Sequence, residues 1–224
     1  MAILILVRHG QASFGTSNYD RLSELGKTQA RWLGEYFVDR GLNFHSVHCG
    51  TLVRQHDTAR EILDAMGAST LPIAQDAGFN EYHAEPLLRA YAGDIDPVEM
   101  QNADYKNYWQ MFRRAMAAWA ADELTDIPES WQSFGDRVTR AMNNCVSSAG
   151  RDDVVLAVSS GGAITRGLAS LLGIPPSAAI ELNLQFRNSA FCELIASSSG
   201  LRLINMNTYP HLDRPDRRDA ITAA

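Results

Sequence analysis

Cysteine is scarce in this chain, and long apolar runs and blocks of like charge are missing. The three cysteines, Cys49, Cys145 and Cys192, are an odd number without metal-ligand spacing, which predicts reduced thiols rather than a disulfide framework. No apolar stretch approaches the roughly twenty residues that span a bilayer, and the short apolar run at the N-terminus has no basic segment or cleavage site beside it. We therefore expect a cytoplasmic protein that does not associate with membranes.

The charged residues are scattered along the sequence. The formal net charge of −6 includes no basic block, so the sequence indicates no nucleic-acid partner. A small anionic substrate would need a local basic pocket within this negative field. With 224 residues, of which 46% are hydrophobic, the chain is long enough to bury one core, and we expect a single domain over residues 1–224.

Three segments combine a buried strand, a tight turn and a helix with one apolar face. The strands and their turns are Ile3–Val7 with Arg8-His9-Gly10, Phe44–His48 with Gly50-Thr51, and Val154–Val158 with Ser159–Gly162. The helix after the third turn spans Ala163–Leu172 and ends at Gly173. This alternation predicts an α/β fold with a mostly parallel central sheet.

Helical spacing of apolar residues predicts two further helices, one from Leu22 to Phe37 that ends near Gly41 and one from Trp131 to Cys145. Three short strands are predicted near the C-terminus, at Leu182–Phe186, Ala190–Ala196 and Leu201–Met206. The polar tail after His211 is expected to lack fixed structure.

The middle of the chain mixes aromatic residues with arginines and acids. We predict a helical lid insertion at about residues 82–128, folded over the sheet. The alternative, that the aromatic residues belong to the core at helical spacing, stays open for part of them. These residues are Tyr105, Tyr108, Trp109, Phe112 and Trp119.

Three predicted strand ends deliver polar residues to one edge of the sheet. Arg8 and His9 follow the first strand, Arg54 lies just beyond the second, and Ser160-Gly161-Gly162 follows the third. Ligands of open α/β folds bind at this edge. Two guanidinium groups and the amides at a helix start match phosphate oxygens, so the set predicts a phosphate site without a metal. Taken singly each signal is weak, because a lone histidine is more often structural.

Six motifs occur in order over most of the chain. They are Leu6-Val7-Arg8-His9-Gly10-Gln11-Ala12, Leu22-Ser23, Gly50-Thr51-Leu52 with Arg54, Asn80-Glu81-Tyr82, Glu129-Ser130-Trp131, and Val158-Ser159-Ser160-Gly161-Gly162. With these motifs the sequence resembles the histidine phosphatase superfamily, in the branch of cofactor-dependent phosphoglycerate mutases and small phosphatases. The resemblance implies a three-layer α/β/α sandwich with a mostly parallel central sheet.

The resemblance also implies roles for individual residues. His9 is the expected nucleophile that becomes phosphohistidine, Arg8 and Arg54 are expected phosphate clamps, and Glu81 is the expected proton donor to the leaving alcohol. An ordinary surface carboxylate is the alternative for Glu81. Further substrate-binding residues are expected at Gln11, Ser13, Ser160, Gly161 and His211, beside the two arginines.

Two positions depart from the family pattern. Ser160 stands where members usually carry a second histidine, and Gly15 stands where mutases usually place a phosphate-contacting asparagine. A neutral donor in place of a charged one predicts a rate about tenfold to a hundredfold lower. Ser160→His is expected to raise activity if the missing imidazole is the defect, and no gain would mean that the pocket has another solution. Gly15 weakens the mutase interpretation.

Two other histidines are candidates to replace the missing imidazole. His83 lies two residues from Glu81, and His211 sits where the C-terminus can fold back over the sheet edge. His211 is the better candidate, and an exposed histidine is the alternative for both. No metal site is expected, because His45 and His48 alternate along a strand and point to opposite faces. No cofactor is expected either.

The leading hypothesis is a phosphatase that hydrolyses a small phosphomonoester through phosphohistidine. A phosphoglycerate mutase-type transfer is the alternative within enzymes, and a member that binds phosphorylated ligands or a partner without turnover is the alternative from another class. Sugar phosphates, phosphorylated acids and protein phosphohistidine all remain open as substrates. The edge strand near the C-terminus leaves a homodimer or a covering tail as alternatives.

Overall fold

Two runs of consecutive apolar residues form the centre of a six-stranded sheet. The computed structural model describes residues 1–13, 20–93 and 105–223. The strands are β1 (Ala2–Arg8), β2 (Ser46–Cys49), β3 (Ile73–Gln75), β4 (Val154–Ser159), β5 (Phe191–Ser197) and β6 (Gly200–Thr208). Their order across the sheet is β3-β2-β4-β1-β5-β6. The first four strands pair in parallel, whereas β5 is antiparallel to β1 and β6, so the predicted mostly parallel sheet is confirmed.

Seven α-helices flank the sheet within the described residues. They are α1 (Glu24–Asp39), α2 (Val53–Ala65), α3 (Ala84–Ala92), α4 (Tyr105–Ala120), α5 (Trp131–Cys145), α6 (Gly161–Leu172) and α7 (Pro176–Gln185). Alternate residues of β1 face opposite sides, as the pleat requires. Ile5 packs in a core with Leu33 of α1, whereas Leu4 packs in a second core with Ile164 of α6. The expected three-layer α/β/α arrangement is therefore confirmed.

The strand register brings three strand ends level at one edge. Arg8 at the end of β1 lies opposite Ser159 at the end of β4. Cys49 at the end of β2 lies opposite Val158, the residue before Ser159. The His9 N–H continues the ladder by donating to Ser159 O at 2.9 Å. The residues that follow these strands therefore leave the sheet side by side.

Helix ends follow the capping rules. The Ser23 hydroxyl accepts from the Gly26 N–H at the start of α1, and the Ser130 hydroxyl accepts from the Ser133 N–H at the start of α5. Gly173 adopts a left-handed backbone (φ +66°) directly after α6, where the sequence predicts the helix to end.

The prediction of a strand at Leu182–Phe186 is wrong, because residues Pro176–Gln185 form helix α7. The alternation Leu-Asn-Leu-Gln-Phe is too short to decide between strand and helix, and the pre-set backbone of Pro176 at the first helical position favours the helix. Strand β3 was missed because it has three residues, none of which is buried.

The tail after His211 is packed, contrary to expectation. Leu212 and Ala220 are buried. Gln29 Nε2 donates to Ala220 O at 2.7 Å, and the Asn188 N–H donates to Thr222 O at 2.9 Å. Backbone carbonyls of the tail therefore satisfy buried polar groups of the main body, which the polar composition of this segment did not reveal.

The region predicted as a lid contains α3 and α4, and residues 94–104 lie outside the described residues. Phe112 and Trp119 of α4 are buried, and Trp119 stacks on Phe134 of α5 with ring centroids 5.5 Å apart. These aromatic residues belong to the core, as the alternative interpretation predicts.

Every helix in the part of the chain that the structure describes is too short or too polar to span a bilayer.

Strand β6 is an edge strand of the sheet, and Ile204 on it is 55% exposed. The homodimer considered from the sequence stays a prediction.

Candidate active site

His9 is buried at the end of β1 with both ring nitrogens engaged. Nδ1 lies 2.7 Å from Gly10 O, and Nε2 lies 3.1 Å from Arg54 Nε. A carbonyl oxygen can only accept and a guanidinium N–H can only donate, so we assign the hydrogen to Nδ1 and the lone pair to Nε2. Burial, with the charges of Arg54 and Arg8, holds the pKa of His9 well below its usual 6.5. The ring is therefore a neutral imidazole with a defined lone pair.

Gly10 lets the chain after His9 pass close to α1. A Cβ at Gly10 would lie well under 3.0 Å from Gly26 O, so no other residue fits there. The Gly10 N–H donates to Thr58 Oγ1 at 3.1 Å, and the Thr58 hydroxyl donates to Arg54 O at 2.7 Å. These bonds tie the segment after β1 to helix α2, which carries Arg54.

Arg54 is buried in the first turn of α2 and is oriented by Asp20. Its Nη1 donates to Asp20 Oδ1 at 2.8 Å, while the Val53 N–H donates to Asp20 Oδ2 at 2.9 Å. One carboxylate thus caps the helix start and fixes the guanidinium group against His9.

Arg8 lies on the other side of the site, above the start of α6. Its Nη1 donates to Phe186 O at the end of α7. A Cβ at Gly161 would lie 3.4 Å from Arg8 Nε and 2.9 Å from Asn183 Oδ1. Gly161 therefore gives the Arg8 guanidinium and the Asn183 amide room beside the helix N-terminus.

Glu81 reaches the same helix start from the segment before α3. Its Oε2 accepts from the Gly162 N–H at 2.9 Å, and its Oε1 accepts from the Tyr82 N–H at 3.2 Å. Burial raises the pKa of Glu81 above its usual 4.5, and the Gly162 bond and the Arg54 charge limit that rise. A carboxyl group in this setting can hold and release a proton.

Ser160 is buried between β4 and α6, and its hydroxyl makes no bond to the helix start. Ser160 Oγ instead accepts from Gln55 Nε2 at 2.8 Å, and the same Gln55 nitrogen donates to Phe79 O at 3.0 Å. The structure therefore brings together six predicted residues around one edge of the sheet. They are Arg8, His9, Arg54, Glu81, Ser160 and Gly161.

Three other residues predicted for the site lie behind or beside it. The Gln11 side chain accepts from the Ser23 hydroxyl at 2.8 Å, at the start of α1. The Ser13 N–H donates to Arg21 O at 2.8 Å, while Gly15 lies outside the described residues. His211 is buried with Nε2 2.7 Å from Ser189 Oγ, and the Ser189 N–H donates to His9 O at 3.2 Å.

Sequence reasoning missed Asp20, Gln55 and Asn183. Gln55 offered one usable signal, because it is a polar residue on the buried face of an apolar-faced helix. Asp20 and Asn183 offered none, because they reach the site from a loop and from the helix mistaken for a strand.

No cluster of three or more His, Cys, Asp or Glu side chains suited to a metal occurs in residues 1–13, 20–93 and 105–223.

The edge of a parallel sheet, with a buried neutral histidine between two arginines, is the architecture of a phosphoryl-handling enzyme. A family model described as "Histidine phosphatase superfamily (branch 1)" matches residues 4–208. The chain belongs to this superfamily.

A phosphoglycerate mutase of Candida albicans is 35% identical over 143 residues, which is 61% of this chain. The match covers 55% of that relative, so the chain spans about half of its length. Among solved structures, a phosphoserine phosphatase of Entamoeba histolytica superposes with a TM-score of 0.67 at 18% identity, covering 95% of this chain and 100% of the other. A mycobacterial glucosyl-3-phosphoglycerate phosphatase superposes with a TM-score of 0.65 at 24% identity, covering 92% of this chain and 98% of the other. These two structures share the fold.

Proposed function

We propose that this protein is a phosphatase that hydrolyses a small phosphomonoester through a phosphohistidine intermediate on His9. The observation that carries the proposal is the neutral His9 ring, whose Nε2 lone pair faces the Arg54 guanidinium group. A phosphoryl group would replace Nε2 as the partner of Arg54 Nε, and Arg8 would meet the same group from the other side. The two cations stabilise charge that develops on the phosphoryl oxygens.

The first step forms the bond from Nε2 to phosphorus while the bond to the leaving oxygen breaks. Glu81 gives its proton to that oxygen, and the raised pKa of Glu81 keeps the proton available. The hydrogen on Nδ1 stays in place, and Gly10 O, 2.7 Å away, stabilises the cationic ring. In the second step water attacks phosphorus, the Glu81 carboxylate takes the water proton, and the electron pair returns to Nε2.

Small phosphorylated acids are the substrate class that the comparisons favour. The Entamoeba enzyme was solved with phosphoserine, and the mycobacterial enzyme is named for glucosyl-3-phosphoglycerate. The Asn183 amide, next to Arg8 at the start of α6, can contact the rest of such a substrate. A mutase is the second candidate, because the Candida relative carries that name.

The sequence predicts reduced thiols and a cytoplasmic protein, and we include this reducing compartment in the proposal. Cys49, Cys145 and Cys192 are all free and buried, and burial raises the pKa of each thiol to about 12. Such thiols neither attack nor oxidise readily, so the chemistry is assigned to His9.

The test compares wild type with His9→Ala on phosphoserine, 3-phosphoglycerate, glucosyl-3-phosphoglycerate and a sugar phosphate. Phosphate release and acid-labile phosphorylation of the protein are measured together. We expect wild type to show both and His9→Ala to show neither. The exposed His45, at the far end of the sheet, gives the matched control His45→Ala, which keeps both activities.

The other outcomes separate the alternatives. Transfer of the phosphoryl group to a second substrate hydroxyl instead of water identifies a mutase. Binding of a phosphomonoester without labelling or release contradicts both enzymatic functions and leaves a binding protein.

A further inference from the structure

The hydroxyl of Ser160 is held by the side chain of Gln55. Among the hydrogen bonds of the described residues, Ser160 Oγ takes part in one, as acceptor from Gln55 Nε2 at 2.8 Å. Both side chains are buried. Gln55 follows Arg54 in α2, and Ser160 follows Ser159, which pairs with Arg8 across the sheet. The contact therefore connects helix α2, which carries Arg54, with the end of β4, which lies beside Arg8.

The orientation of the Gln55 amide is fixed by its second partner. Phe79 O, 3.0 Å from Nε2, can only accept, so the nitrogen and not the oxygen of the amide must face it. The Ser159 hydroxyl donates to the same carbonyl at 2.6 Å and occupies its other lone pair. Both Gln55 N–H bonds are therefore committed, one to Phe79 O and the other to Ser160 Oγ.

The direction of this bond decides what Ser160 can do. Since Oγ receives the hydrogen of Gln55, its own hydrogen is available to a different acceptor. The helix start offers N–H groups rather than acceptors, and Ser160 makes no side-chain cap bond there. Ser160 directly follows Ser159, whose carbonyl oxygen accepts from the His9 N–H at 2.9 Å, so a phosphoryl group on His9 would offer acceptors to this hydrogen.

The amide oxygen of Gln55 is buried and has no hydrogen-bond partner among the described residues. An unpartnered buried acceptor destabilises the folded state, and a methionine of similar length would fill the space without it. Packing therefore does not explain the glutamine, whereas its N–H bonds do.

We propose that Gln55 is a positioning residue that makes Ser160 a hydrogen-bond donor to the transferring phosphoryl group. This inference rests on the proposed phosphatase function. Within it, the Gln55–Ser160 pair takes the place of the second imidazole that the family resemblance leads one to expect at position 160.

The test is a double-mutant cycle of wild type, Gln55→Met, Ser160→Ala and the double variant. We expect kcat to fall about tenfold in each single variant with little change in KM, because the lost bond forms only with the transferring group. The double variant should be no slower than Ser160→Ala, since Gln55 acts through Ser160. Gln55→Met loses two buried hydrogen bonds together with the unpartnered amide oxygen, so we expect it to unfold close to the wild-type temperature.

Three results separate the outcomes. Multiplicative losses of kcat in the double variant, or an unchanged kcat in Gln55→Met, overturn the role of Gln55 while wild-type turnover preserves the phosphatase. A lower unfolding temperature in Gln55→Met together with multiplicative losses assigns a structural role and overturns the inference. Absence of turnover and of His9 labelling in wild type overturns the proposed function and this inference with it.

Discussion

Glu81 and Gly162 are held in contact: the Gly162 N–H donates to Glu81 Oε2 across 2.9 Å. A Cβ on Gly162 would lie 2.5 Å from Tyr82 Cε1 and closer still to Glu81 Oε1, distances that real side chains do not tolerate. The absence of a side chain at position 162 therefore lets the carboxyl group approach the start of α6.

Gly162→Ala is expected to lower kcat on an alkyl phosphomonoester by about tenfold to a hundredfold, because the carboxyl group is displaced from the leaving oxygen. KM should change little, since the arginines stay in place. Steady-state kinetics check this. Gly150→Ala is the matched control, because its Cβ would meet only Asp153 Oδ2 at 3.4 Å, and it keeps wild-type kcat. Equal rates in both variants would contradict the role of Glu81.

The pH profile of kcat/KM should follow His9 and Glu81 with opposite signs. His9 must be neutral, and its lowered pKa predicts that activity appears well below pH 6.5 as pH rises. Glu81 must be protonated, and its raised pKa predicts that activity declines only above pH 4.5. The profile should therefore be bell-shaped, with its acid limb below pH 6.5 and its alkaline limb above pH 4.5. An activity that keeps rising through pH 8 contradicts this assignment.

Glu81→Gln separates the two limbs of that profile. In this variant kcat/KM should no longer decline at alkaline pH. The rate on an alkyl phosphate should fall by a factor of about 10²–10⁴. The loss should be much smaller on nitrophenyl phosphate, whose leaving group needs no proton. Glu85→Gln, at an exposed position of α3, serves as the control.

Asp20→Asn should lower kcat/KM about tenfold, through a higher KM and a lower kcat. The variant loses the charge that orients Arg54, and one amide cannot serve both Arg54 and the Val53 N–H as acceptor. Asp57→Asn, on the exposed side of the same helix, controls for the loss of one negative charge. Equal kinetics in the two variants would show that Arg54 does not depend on Asp20.

His211 should make the protein sensitive to acid. Burial and the charge of Arg217 lower its pKa to about 3 in the folded state, against 6.5 when unfolded. The folded state therefore resists protonation, and stability present above pH 6.5 is lost as pH falls, by about 2 kcal/mol at pH 5. Urea unfolding at pH 7 and 5 should show a smaller loss in His211→Gln. The His9 contribution has the same sign and remains.

The exposed His83 supplies the control, since His83→Gln should match the wild-type loss. The same His211→Gln protein tests the substrate-binding role predicted from the sequence. Wild-type kcat and KM in this variant would contradict that role and leave His211 as a support of Ser189.

If the missing imidazole is the defect, the sequence predicts that Ser160→His raises activity, and the contact with Gln55 changes this prediction. An imidazole at position 160 needs space that Gln55 Nε2 occupies, 2.8 Å from Ser160 Oγ. The single exchange should therefore lower activity and stability. Gln55→Ala combined with Ser160→His opens the space and should be at least tenfold faster than Ser160→His alone. A single variant faster than wild type would contradict this geometry.

Periodicity and strand-end logic predicted the sheet centre and the residues at its edge. Ile3–Val7 and Val154–Val158 are unambiguous because every residue is apolar and a polar turn follows each of them. The placement of Arg8, His9 and Ser160 follows from the strand ends, because parallel strands finish at one edge.

The remaining features depend on contacts between distant parts of the chain. Leu182–Phe186 has the composition of a strand, yet the prolines before it and packing on the sheet make it a helix. Gln55 meets Ser160 across 105 residues, and Asp20 meets Arg54 across 34, so local spacing carries no sign of either.

The bond from Gln29 to Ala220 O joins positions 191 residues apart, and β1 pairs with β4 and β5 from the far half of the chain. During synthesis, β1 has neither neighbour until residues 154–197 have also been made. The central strand and its histidine can therefore take their place in the sheet only late in the synthesis of these 224 residues.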